Sequence, residues 1–110
     1  QPAVSMAKKP AAFRVTREDN GDGGIYRAWD AEGTLAGYMT YKIVASGEWS
    51  LDHTKVEEAF GGQGVGQRLL DAALGDARAK GRKLRPVCSF VRHFFDKFPA
   101  AVADVRAEAR

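Results

Sequence analysis

The stretch Gly61-Gly62-Gln63-Gly64-Val65-Gly66 decides how this 110-residue chain is read. Beyond it, Leu69, Leu70, Ala73, Leu74 and Ala77 recur at the spacing i, i+1, i+4, i+5, i+8, one stripe of an amphipathic helix over about residues 65–80. Gly81 stands where a helix-ending glycine belongs. Before the glycines, Trp49–Val56 reads as a strand with Trp49, Leu51, His53 and Lys55 on one face. A strand that runs through glycines into a helix makes a cradle for a pyrophosphate. Glycines let backbone N–H groups approach an anion, and the helix N-terminus adds positive potential. The stretch is not a P-loop, because no Gly-Lys-Ser/Thr ends it. Nor is it the Rossmann fingerprint: counted from Gly62, the third glycine place falls at Gln67. By composition alone, a flexible connector stays open as the alternative.

Working outward, Phe13–Arg17 alternates apolar and polar residues as a half-buried strand does. Asn20–Gly24 reads as a turn, Ile25–Asp30 as a second strand, Ala31-Glu32-Gly33 as a turn and Thr34–Ala45 as a third strand. Short connections imply an antiparallel meander. After the helix, Lys83–Val87 reads as a fifth strand at an edge or a bulge, because Pro86 cannot donate to a ladder. Phe90, Val91, Phe94, Phe95 and Phe98 give a helix over about residues 89–98 that ends at Pro99, with Phe90/Phe94/Phe98 read as core. Alanine-rich Ala100–Arg110 suggests a last, weaker helix. The fold class is α+β: a mostly antiparallel sheet in the order ββββαβα, helices packed on it, and a right-handed crossover that sets strands 4 and 5 parallel. Residues 13–110 form one domain, and residues 1–12, with two prolines and many small residues, form a flexible extension. Met6 is read as a natural start, with Gln1–Ser5 ahead of it.

The length leaves no room for a second large domain. No run approaches the eighteen or so apolar residues of a membrane-spanning helix. One cysteine, Cys88, cannot form an internal disulfide, which places the protein in a reducing compartment, the cytoplasm. The formal charge is +3, unevenly spread. Residues 18–58 carry nine acids and three bases; residues 78–110 carry nine bases and three acids. The basic third suits phosphate, of a cofactor or of a nucleic acid. Arg68, in the first helical turn, is the base placed to reach a phosphate beside the glycines. Arg78, Lys80, Arg82 and Lys83, at the far end of the helix, are read as solvated surface.

Cys88 lies at the end of strand 5, just before a helix. A thiol there feels a positive helix end, with Arg85 and Arg92 near in sequence, and this favours thiolate. The alternative is an inert buried cysteine. His53 could act as a base or orient a substrate, although such a histidine is more often structural. Glu57, directly before the glycines, could accept an amine proton. No Cys/His spacing fits a metal, so no metal site is expected.

Taken together, these features resemble the acetyl-CoA core of the GNAT superfamily of N-acetyltransferases. Its usual loop is Arg/Gln-x-x-Gly-x-Gly/Ala; Gly64 and Gly66 match the glycines, and Gly61 stands at the Arg/Gln place. With His53-Thr54-x-Val56 and Pro86-x-Cys88-x-Phe90-Val91 added, the pattern is similar to the small YjdJ-type N-acetyltransferase-domain family over about Phe13–Pro99. Ser89 stands where that family often has proline, and Phe94 where tyrosine is common, so no phenol serves there as an acid. The resemblance implies acetyl-CoA as cofactor, held by backbone amides along Val56, Gly61, Gly62, Gln63, Gly64, Val65 and Gly66, to which the position of Gln67 and Arg68 in the first helical turn adds those two. It implies catalysis by Cys88 on an amine acceptor that the sequence does not identify; the reading of the residues themselves adds His53 or Glu57 to help deprotonate that amine. A monomer is expected, with no membrane partner. Two rivals remain: a non-catalytic acyl-CoA-binding module, and a nucleic-acid binder using the basic residues, which exposed aromatics among those bases would favour.

Overall fold

The computed structural model describes residues 13–107, so the extension expected over residues 1–12 lies outside the described residues. Five strands lie side by side in sequence order: β1 (Arg14–Asp19), β2 (Gly23–Trp29), β3 (Leu35–Ile43), β4 (Trp49–Val56) and β5 (Leu84–Pro86). The first four form the antiparallel meander that short connections require, and β5 joins β4 in parallel. A single 3-10 turn, Glu58–Phe60, and the helix α1 (Val65–Lys80) link β4 to β5; α2 (Ser89–Lys97) and the short α3 (Pro99–Val102) follow. This is the α+β arrangement expected from the sequence, with its parallel pair. β2 starts inside the expected turn because Gly24 lacks a side chain and lies against the Tyr41 ring. Among the described residues, no helix is long and apolar enough to cross a membrane.

Alternation gives the sheet two unequal faces. Tyr26, Ala28, Met39, Tyr41, Trp49 and Leu51 are buried on one face, beneath the α1 residues Leu69, Leu70, Ala73, Leu74 and Ala77 that the sequence stripe marks. Asp76 fastens the helix there, accepting from the Tyr26 hydroxyl at 2.8 Å and from Arg17 at 3.0 Å. Burial, and then Asp76, hold the Tyr26 phenol far above its ordinary range. Burial and the bond to Asp19 raise Tyr41 to about 12. On the opposite face Ile25, Arg27, Tyr38 and Thr40 are only half-buried.

The C-terminal third corrects two expectations. Helix α2 buries Val91 and Phe95 and packs half-buried Phe94 against the same core, whereas Phe90 and Phe98 are 36% and 46% exposed. Both stripes have helical spacing, and residue size does not say which one the sheet edge will cover. The expected helix over residues 100–110 stops at Val102. Residues 105–107 instead run along the free edge of β5, with Leu84 donating to Val105 at 2.6 Å and accepting from Ala107 at 2.9 Å. A three-residue strand presents bare polar groups on its outer edge, and this pairing covers them.

Arg78, Lys80, Arg82 and Lys83 are exposed, as expected of a solvated surface, and three of them are tethered there. Arg78 pairs with Asp104 at 2.8 Å, Lys83 donates to the Asp104 carbonyl at 2.7 Å, and Arg82 reaches the Gly47 carbonyl at 3.4 Å. Arg85 pairs with Glu48 at 2.7 Å, so the acidic and basic segments of the chain meet inside the fold.

Candidate functional site

The site begins where β5 stops. Pro86 pairs with Leu51, and the next two N–H groups, of Val87 and Cys88, both turn onto the Leu51 carbonyl, at 3.3 and 3.0 Å. Proline cannot extend a ladder, so the chain leaves β4 here and starts α2. β4 continues to Val56 beside no described neighbour on that edge. The Glu57 N–H donates to Ala36 on β3 at 2.8 Å, and alternation then turns the N–H groups of Val56 and Thr54 towards the open edge.

At the end of this opening lies the glycine loop. Gly62 and Gly64 hold φ of +78° and +81°, in the left-handed region that glycine adopts at no steric cost. Gly64 caps α1 and contributes no side chain, and its carbonyl accepts from the Arg68 N–H at 3.0 Å. The N–H groups of Val65, Gly66 and Gln67 therefore have no partner within the helix. No acidic residue stands in that first turn. The result is a compact set of donors at a positive helix end, matched to phosphate oxygens. Gly61, at φ −61° and ψ 143°, sits in ordinary extended backbone. Gly61, Gly62, Gln63, Gln67 and Arg68 are exposed, whereas Val65 and Gly66 are buried; Gly66 lies against the Phe90 ring of α2.

Cys88 is the N-cap of α2, with extended backbone and no capping bond from its side chain. Its Sγ lies 3.2 Å from the Thr54 Oγ1, across the opening between β4 and β5. Arg85, expected to act on this thiol, is engaged with Glu48. Thr54 is the residue that sequence reading missed. Its signal is positional: it lies within His53-Thr54-x-Val56, but a lone threonine in a strand does not announce a partner 34 residues away.

His53 stands elsewhere. The β3/β4 register pairs Tyr41 with Leu51 and Thr40 with His53, so Asp52 is one residue too many, a β-bulge. The bulge reverses the alternation. Trp49 and Leu51 are buried beneath α1, but His53 joins Thr40 on the open face instead of sharing theirs. There His53 and Asp52 line a cavity of about 560 Å³ together with Glu18, Asp22, Arg27 and Thr40. Glu57 is half-buried at the end of β4 and opens the 3-10 turn, its carbonyl accepting from Phe60 at 2.9 Å. The structure thus brings Cys88, Thr54, the β4 edge and the loop to one opening and sets His53 behind it. Among the described residues, no group of three or more His, Cys, Asp or Glu could hold a metal ion.

Comparisons with known proteins bear on the family and the fold. A family model described as GCN5-related N-acetyl-transferase matches residues 25–105. A GCN5-like protein from Staphylococcus aureus, described as an N-acetyltransferase, is 31% identical; the match covers 88% of this chain and 90% of that one, with a TM-score of 0.67. Nourseothricin acetyltransferase is 21% identical over 81% of this chain and 68% of its own, with a TM-score of 0.56. A ribosomal-protein-alanine N-acetyltransferase from Brucella melitensis biovar Abortus is 16% identical over 84% and 68%, with a TM-score of 0.58. These last two share the fold. A search of curated proteins finds no match.

Proposed function

The chain belongs to the GCN5-related N-acetyltransferase family, and on that premise we propose that it transfers an acetyl group from acetyl-CoA to an amine. The observation that carries this reading is the opening beside β4. It has a phosphate cradle at one end and a thiol, Cys88, within 3.2 Å of Thr54 at its side.

Acetyl-CoA supplies an activated thioester. The backbone of residues 61–66 and the first turn of α1 would hold its pyrophosphate, and Arg68 its 3′-phosphate. The open edge at Thr54 and Val56 would align the pantetheine arm. The Val56 N–H is placed to donate to the thioester carbonyl, stabilising the oxyanion as the amine nitrogen bonds to the carbonyl carbon. Collapse of that adduct breaks the carbon–sulfur bond. Glu57 at the strand end takes the amine proton, directly or through water, because His53 lies on the opposite face of the sheet. Cys88, oriented by Thr54, gives its proton to the departing thiolate and regains one from solvent. The alternative route, in which Cys88 itself takes the acetyl group before the amine does, differs in leaving a mass increase on the protein.

The test is release of CoA in the presence of a lysine peptide, a polyamine and small metabolite amines, with mass spectrometry of the products. Amine-dependent release matched by acetylated amine is the expected result. Saturable acetyl-CoA binding without turnover on any amine class would make the protein an acyl-CoA-binding module instead.

A further inference from the structure

The aromatic residues of α2 are distributed against expectation: Val91 and Phe95 bury the helix and Phe94 packs half-buried against the same core, while Phe90 and Phe98 on either side of it stay 36% and 46% exposed. Phe90, Phe94 and Phe98 follow one another at one-turn intervals in a stripe, and Phe94 and Phe98 are in ring contact at 5.0 Å between centroids. The stripe begins at the phosphate cradle: a Cβ added to Gly66 would stand 2.9 Å from the Phe90 ring. It continues away from the cradle for roughly 12 Å at about 1.5 Å per residue. Its far end is positively charged, with the Lys97 ammonium 5.7 Å from the centre of the Phe98 ring. An exposed aromatic surface that starts at a pyrophosphate site and ends beside a cation has the form required by the next part of a nucleotide.

We propose that the Phe90–Phe94–Phe98 stripe is the platform for the adenine of the cofactor. The purine lies on the outer ring faces while the pyrophosphate rests on the α1 amides. This rests on the reading of the loop as a CoA cradle and adds residues that hold the nucleoside. The same surface explains why phenylalanine is placed where a soluble helix ordinarily carries polar residues. Stacking on an aromatic face needs no base-specific hydrogen bond, so it tightens binding of the adenosine-bearing cofactor without touching the thioester chemistry.

Two ligands separate the possibilities: CoA, and 4′-phosphopantetheine, which keeps one phosphate of the pyrophosphate and lacks the 3′-phosphorylated AMP. Phe98 is exposed and outside the buried core, so Phe98→Ala is expected to keep the parent's melting temperature within a few degrees. Phe98→Ala should weaken CoA about tenfold, Phe98→Tyr should restore it, and neither should change 4′-phosphopantetheine by more than about twofold. In the unaltered protein, adenine protons should show NMR cross-relaxation with the rings of Phe94 and Phe98. Unchanged CoA affinity in a folded Phe98→Ala, equal losses for both ligands, or absent adenine-to-ring cross-relaxation in the bound parent overturns the platform. A parent that binds neither ligand overturns the cradle itself, and the platform with it.

Discussion

Gly64→Ala isolates the backbone argument from every side chain. Gly64 sits at φ 81° and ψ 19° as the cap of α1. A Cβ there meets nothing within 4 Å, so the substitution makes no packing clash. Its cost is conformational, about 1–2 kcal/mol for holding an L-residue in the left-handed region. Because the loop is exposed, the free protein sheds this strain by letting residues 62–64 turn away. Bound acetyl-CoA must restore the turn to aim the first N–H groups of α1. The strain therefore appears in binding, as a loss of about 5- to 30-fold at about 1.4 kcal/mol per decade. Gly61→Ala is the matched control. Its extended backbone suits any residue and its added Cβ has only ordinary contact with the Glu58 carbonyl at 3.5 Å, so affinity should stay within about twofold of the parent. Isothermal titration with acetyl-CoA, with a melting curve for each variant, reads both. Parent-like binding by Gly64→Ala, or an equal loss in Gly61→Ala, would refute the reasoning.

Three other outcomes follow from the same geometry. Cys88→Ala should bind acetyl-CoA within about twofold of the parent while losing roughly 10²-fold or more in kcat, and steady-state kinetics on an accepted amine would expose an idle thiol as an unchanged kcat. Phe95→Ala should cost about 3–5 kcal/mol in urea unfolding, because Phe95 is wholly buried; a loss no larger than that of an exposed phenylalanine would mean that α2 is packed the other way round. Tyr41, raised to about 12, should contribute stability in full below about pH 10 and lose it as the pH climbs towards 12; unfolding curves over that range should fall more steeply for the parent than for Tyr41→Phe, and equal slopes would contradict the assignment.

The skeleton of the fold is legible in the sequence because its signals are periodic. The stripe from Leu69 to Ala77 has one solution, and the four alternating segments before it are too closely connected to pair other than in a meander. What escapes is whatever depends on a single residue's displacement. One extra residue, Asp52, turns His53 to the open face although the alternation from Trp49 and Leu51 points it inward. On α2 two stripes share one period, and only the sheet edge chooses Val91 and Phe95 over Phe90 and Phe98. The final segment reads as helical by composition, but the bare edge of β5 draws Val105–Ala107 into an extended pairing that local propensity does not encode. Within the site, the loop and Cys88 are visible as motifs. The Thr54 contact to Cys88 is not, because it depends on where Pro86 stops β5, and no local pattern records how two strands part.

The most direct test of the central claim is a titration of the isotope-labelled protein with acetyl-CoA, followed through its backbone amide resonances. The account predicts saturable shifts concentrated on Thr54, Val56, residues 61–68 and Cys88, with the amides of β1 and the β1–β2 turn little changed. An absence of saturable shifts, or a set of shifts centred on the open sheet face around Glu18, Thr40 and His53, would contradict it.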